Sequence, residues 1–236
     1  MSTSLFQNPD LTLTDEPQEV CPEWVSPRPV AEWNPETFAR EQIQGLVRRV
    51  FFSNPERPVR QVVFSAAEPE TDIRTICRRV GEALALETAG TVAVMGGCLQ
   101  LLQSTEEQHP IPDRGTKDAS VPPLRRIATR MRGNLWLVPA AARNPATTAS
   151  LHSYLGELRR EFEYSIVEAP PAGESYEATA MAQFADGIIL VLSAQRTRRV
   201  TARRIKETIE DAHARLLGTV LSDRVFPIPE GIYRRL

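Results

Sequence analysis

Three short stretches hold the residues that could do chemistry. The first is Ser65-Ala66-Ala67-Glu68-Pro69-Glu70-Thr71-Asp72-Ile73-Arg74-Thr75. It follows the apolar run Val62-Val63-Phe64 and leads into a helix marked by Ile73, Ile76, Val80 and Leu84. Strand, tight loop and helix in that order bind phosphate when glycines let backbone N–H groups close around the anion and a lysine reaches the terminal oxygens. No glycine and no lysine stands between Ser65 and Arg79. What remains for a phosphate ligand is Pro69, Glu70, Thr71, Arg74 and Thr75. Glu70 and Asp72 would set carboxylates where phosphate belongs, and like charges in a partly dehydrated loop repel on the order of kcal/mol, not tenths.

The second stretch is Val167-Glu168-Ala169-Pro170-Pro171, in which Glu168 closes an apolar run. It is the one candidate for holding a divalent cation, and a lone strand-end carboxylate is weak support for Mg²⁺, which also leans on substrate phosphates. We expect no metal site and read Glu168 as a strand-end acid bonded to backbone N–H groups. The third stretch is Met95-Gly96-Gly97-Cys98. Its glycines could line another phosphate loop, and the reading favoured here is that they let the chain turn tightly after a strand.

The elements that must position these residues are legible in the apolar pattern. Strand-like runs fall at 61–66, 91–95, 135–139, 164–169, 187–193 and 218–221. Several are apolar throughout instead of alternating, as parallel strands covered on both faces require. Helical spacing links Phe38, Ile43, Leu46, Val47, Val50 and Phe51, with Asn34-Pro35-Glu36 as cap and first turn. It recurs at Leu151, Tyr154, Leu155, Leu158 and Phe162, introduced by Pro145 and the capping candidates Thr147 and Thr148, and again at Val200, Ile205, Ile209, Ala212 and Leu216. Such alternation predicts one α/β domain, a doubly wound, mainly parallel sheet flanked by helices. The segment 103–123, rich in Pro, Asp, Ser and Glu, reads as a surface loop.

Composition narrows the function. Residues 1–41 hold eight acids against Arg28 and Arg40, a net charge of −6 that leaves +4 on the rest, and the first 35 residues include six prolines. Residues 1–35 are therefore expected to form an acidic, extended arm, disordered apart from Trp24 and Trp33 as docking points, ahead of a domain at 36–226 and a short tail at 227–236. No apolar run approaches the roughly 18 residues of a membrane span, so no transmembrane segment is expected. Cys21, Cys77 and Cys98 have no metal or CxxC spacing, an odd count that fits a reducing cytoplasm, and His109, His152 and His213 form no ligand motif. The arginines at 196, 198, 199, 203 and 204 are followed on the same helix by Glu207, Glu210 and Asp211 and lack interleaved aromatics, so a solvated face is expected and no nucleic acid.

FEYSIVEAPP at 162–171, with FADGIILVLSAQRTRRVTARRIKETIEDAHARLLGTVLSDRV at 184–225, resembles the C-terminal half of the bacterial tyrosine kinases of capsule and exopolysaccharide synthesis. LWLVPAAARNPATTASLHSYLGELRREF at 135–162 resembles their preceding strand, N-P loop and helix. These kinases belong to the P-loop group that includes the Min and Par ATPases, and the likeness runs over 36–226. It implies a P-loop NTPase-like fold, ATP with Mg²⁺ as cofactors, and protein-tyrosine kinase activity. The functional motifs depart from it. Against the family's S-A-x-P-G-E-G-K-S-T, Ile73 stands at the lysine and Arg74 and Thr75 at the S-T pair. Against I-D-A-D stands Met95-Gly96-Gly97-Cys98, and Glu168 takes the Walker B acid. The ring-forming E-x-x-R-x-x-R is represented by Glu41, Gln44 and Val47, and the terminal tyrosine cluster by Tyr233 alone.

The expectation is thus a degenerate, non-catalytic relative: a pseudokinase-like regulatory or scaffolding module in exopolysaccharide or capsule synthesis and export, with no cofactor. Its partner, by resemblance, is the cytoplasmic tail of an inner-membrane chain-length protein or an active kinase paralogue. That places it in the cytoplasm, at the inner face of the membrane through the partner. Two alternatives stay open: an active ATP-binding kinase or ATPase with an atypical loop at Arg74, Thr75 and Glu168, and a Par- or Min-like positioning factor.

Overall fold

The computed structural model describes residues 34–96, 123–139 and 148–224. The expected arm with Trp24 and Trp33, the residues Cys21, Gly97, Cys98 and His109, the capping candidates Pro145 and Thr147, and the tail with Tyr233 lie outside them.

Helix α1 (Pro35–Phe51) opens as its sequence demands: the Asn34 side chain accepts from the Glu36 and Thr37 N–H groups, and Pro35 fills a first-turn position that needs no donor. Strand β1 (Gln61–Ala66), helix α2 (Ile73–Glu87) and strand β2 (Val92–Gly96) follow. Then come the short α3 (Pro123–Ile127), β3 (Thr129–Arg130), β4 (Leu135–Pro139), α4 (Thr148–Glu161), β5 (Tyr164–Glu168), α5 (Glu177–Phe184), β6 (Gly187–Ser193), α6 (Arg199–Asp211) and β7 (Leu216–Ser222). The strands form one seven-stranded sheet in the order β3-β4-β2-β5-β1-β6-β7, parallel throughout except for the antiparallel edge pair β3–β4. This is the doubly wound sheet that the alternating pattern predicts.

Both faces of the sheet are buried, which explains the uninterrupted apolar strands. Val62, Phe64, Val94, Ile166 and Ile189 point toward α1 and α2, where Val47, Phe51, Cys77, Val80 and Leu84 meet them. Val63, Met95, Val167, Ile188 and Leu190 face the opposite layer, built by Leu155 and Leu158 of α4, Met181 of α5, and Ile205 and Ile209 of α6. The position aligned with the second arginine of the ring motif is Val47, fully buried in the first of these layers.

Three readings change. The helix expected to run on to Leu216 ends at Asp211, because His213 adopts φ 58° and Leu216 opens β7. Helices α3 and α5 and the two-residue β3 have no counterpart in the apolar reading, being short and weakly periodic. Pro123, the last residue of the expected loop, starts α3, and residues 103–122 lie outside the described set.

Candidate functional site

Ligands of open α/β sheets bind outside the carboxyl ends of the strands, where the direction of winding reverses. Here the chain leaves β1 for β2 on one side and later returns to β5, lodged between them, before β6 is added on the other side. A cavity of about 620 Å³ lies at this point. Its walls come from the β1–α2 loop, the ends of β2 and β5, the Pro170-Pro171 turn, and helices α4 and α5.

The β1–α2 loop shows what replaces a phosphate cradle. Asp72 is the N-cap of α2, its carboxylate accepting from the Thr75 N–H at 3.1 Å. A helix N-terminus offers orphan donors to an anion, and here the chain's own carboxylate takes one of them. Ile73, aligned with the lysine, is only 9% exposed and belongs to the core beneath α2. The other two acids turn toward the β6–α6 loop. Glu68 accepts from the Thr197 hydroxyl at 3.2 Å, and Glu70 pairs with Arg196 at 2.6 Å in an exposed ion pair. The expected carboxylate crowding is therefore relieved: Asp72 faces a backbone donor, Glu68 a hydroxyl, and Glu70 a guanidinium in solvent.

Glu168 ends β5 beside Phe64 of β1, and its carboxylate meets the Arg74 Nε at 3.2 Å. The glutamate side chain is 13% exposed against 44% for the arginine, so the pair joins a largely covered acid to a wet cation. Gly96 faces the same carboxylate. It has φ +156°, and a Cβ there would overlap both the carboxylate and the Cβ of Glu168. The glycine is thus required by close approach of a neighbouring side chain within the sheet, not by a turn after it, as its sequence position had led us to expect.

Of the six residues singled out from the sequence, Pro69, Thr71, Arg74 and Glu168 line the cavity; Glu70 and Thr75 do not. The other walls include Tyr154 from α4, Met95 from β2, and Glu174, Glu177 and Met181 from in and around α5. The ionisable lining comprises Asp72, Glu168, Glu174 and Glu177 against Arg74, so the cavity is acidic. The Pro170-Pro171 turn is held against β1 by the Ser65 hydroxyl, which donates to the Pro170 carbonyl at 2.6 Å, and by the Ala172 N–H, which donates to the Ala66 carbonyl. Glu174 and Glu177 escaped the sequence reading because α5 itself did. The sequence reading treats Asp72 only as a misplaced carboxylate; the signal for its capping role is an aspartate directly before the first apolar residue of a periodic helix.

Among the described residues, no three His, Cys, Asp or Glu side chains gather as a metal site, and no helix is long and apolar enough to cross a membrane. Cys77 is buried, and His152 packs edge-on to Phe184.

The fold is a doubly wound α/β sheet of the kind found in P-loop NTPase-like domains. The kinase domain of the Escherichia coli tyrosine kinase ETK superposes with a TM-score of 0.58 at 14% identity, covering 81% of this chain and 79% of that one. The MinD cell division protein of Aquifex aeolicus gives 0.53 at 18% identity, over 75% and 72%. In sequence the chain is similar to the tyrosine-protein kinase CpsD of Streptococcus agalactiae, 32% identical over 93 residues. That stretch is 37% of this chain and 40% of the relative. No family model matches the chain.

Proposed function

We propose that the chain is a non-catalytic, pseudokinase-like module that regulates or scaffolds capsule or exopolysaccharide synthesis and export. It acts in the cytoplasm, held at the inner membrane face by the tail of a chain-length protein or by an active kinase paralogue. The pathway rests on the likeness to CpsD and to bacterial tyrosine kinase domains. The observation that carries the non-catalytic reading is the start of α2, where Asp72 takes a helix N–H and Ile73 is buried at the lysine position. ATP with Mg²⁺ does not fit these residues: a polyphosphate would meet an acidic cavity with one arginine, already engaged by Glu168. We therefore assign no phosphoryl-transfer step and propose that surface contacts transmit the module's effect.

A second reading, an atypical ATP-binding enzyme, is favoured by the retained 620 Å³ cavity with Arg74 and Glu168 in its wall. Thermal unfolding with millimolar Mg²⁺-ATP and Mg²⁺-ADP separates the two. A ligand at a hundred times its dissociation constant adds about 2.7 kcal/mol, roughly 5–10 °C for a domain of this size. No shift is expected. A clear shift abolished by Glu168→Ala would overturn the non-catalytic reading.

A further inference from the structure

On the sheet face covered by α1 and α2, a groove of about 870 Å³ runs between these helices and the β3–β4 turn. Its charge is the reverse of the cavity's. Arg40, Arg78, Arg79 and Arg132 line it against Glu36 and Glu82, and the one ion pair among these residues joins Arg78 to Glu82 at 3.7 Å. Arg40, Arg79 and Arg132 have no acidic partner among the described residues. Between the arginines lies apolar surface: Leu86, 83% exposed, with the partly buried Ile43 and Met131. An apolar strip edged by unpaired guanidinium groups suits an acidic segment with aromatic side chains, which can pair with the cations and stack on them.

Such a segment is tethered at the groove's rim. Residues 1–33 contain Asp10, Asp15, Glu16, Glu19, Glu23 and Glu32 against Arg28 alone, together with Trp24 and Trp33. They join the domain at Asn34, two residues before Glu36, which lines the groove. The thirteen residues from Cys21 to Asn34 reach about 45 Å when extended. A flexible tether of that kind holds its segment at an effective concentration in the millimolar range, so weak contacts suffice. We propose that residues 1–33 dock in the α1–α2 groove of their own chain as an acidic strap, its carboxylates on Arg40, Arg79 and Arg132 and its tryptophans against Ile43 and Met131. The strap would then compete with any other acidic partner for this face.

Cys21 lies within the segment and provides the test. In the full chain carrying Cys98→Ser, Leu86→Cys puts a thiol at an exposed groove position, and Arg203→Cys puts a control thiol on exposed α6; Cys77 is buried. A short bis-maleimide should link Cys21 to position 86 within one chain far more than to position 203. Yield at position 86 should fall about five-fold or more with Arg40→Glu and Arg132→Glu together, or in about 0.5 M salt. Thermal unfolding of each variant confirms that it is folded. Equal yields at the two positions, no response to charge reversal, or links only between chains would overturn the proposal; the last would assign the groove to a second copy.

Discussion

Gly96 and Glu168 should be energetically coupled, and the size of the coupling can be worked from their contact. A Cβ built on Gly96 lies 2.7 Å from the Glu168 Cβ and 2.9 Å from its Cδ, and closer still to Oε2. The Cβ is fixed by the backbone of β5, and the carboxylate could swing aside only by giving up Arg74. Gly96→Ala therefore meets two costs: overpacking, about 1–3 kcal/mol, and an L-residue at φ +156°, about 1–3 kcal/mol. Together they predict a loss of about 2–6 kcal/mol, which moves the urea midpoint by about 1–2 M for a domain of this size. In a Glu168→Ala background the Cδ and carboxylate contacts vanish while the backbone cost and the Cβ contact remain. The same substitution should then cost about 1–2 kcal/mol less. Urea unfolding of the four proteins of this double-mutant cycle gives the coupling directly. Additivity within about 0.5 kcal/mol, or a neutral Gly96→Ala, would refute the claim that the glutamate requires the glycine.

Three other expectations concern the site and its supports. Asp72→Ala should cost about 1 kcal/mol in urea unfolding, while Asp72→Asn, also a good cap, should stay within a few tenths. Ile73→Lys restores the lysine of the related kinases but replaces a 9% exposed core side chain with an ammonium; a melting temperature lowered by about 5 °C or more, with no stabilisation by Mg²⁺-ATP, is expected. Asp186 accepts from the Arg60 and Gln61 N–H groups and from Arg159, all within 2.8 Å, so Asp186→Ala should cost about 2–4 kcal/mol by chemical unfolding, and Asp186→Asn less.

Most of the sheet could be read from the residues because both its faces are buried. A strand covered on two sides shows as an apolar run whatever its neighbours, and 61–66, 135–139 and 187–193 match β1, β4 and β6 to the residue. Helices α1 and α2 were legible from a repeating apolar face. Helix α5 was not: its eight residues are mostly small, and Ala178 and Ala182 pack through close approach instead of a bulky stripe. The site was half legible. That the β1–α2 loop lacks glycine and lysine is a fact of the sequence, but where its acids turn is not. Glu68 and Glu70 find partners some 126 to 129 positions away, at Arg196 and Thr197, a pairing that only the adjacency of β1 and β6 creates. Asp186 stood inside a recognisable motif, yet its work of holding the start of β1 follows from strand order.

The changes around the cavity support one another, and this bears on what a reversal could achieve. A phosphate group at a strand–loop–helix site serves as acceptor for helix N–H groups and counter-charge for a lysine. Here Asp72 is an acceptor for the helix, Ile73 removes the cation and adds to the core, and Arg74 supplies a charge for Glu168. Each replacement makes its opposite number harder to restore. A lysine at 73 would replace a side chain that both joins the core and lines the cavity, sharing that cavity with Asp72 and Glu168, and an anion at α2 would meet Asp72 on the donor it needs. An aspartate at 96 would collide with the longer side chain of Glu168. Reversal of any one position should therefore lower stability without creating a nucleotide site, and only concerted replacement of the 68–74 loop with Gly96 and Glu168 could rebuild one.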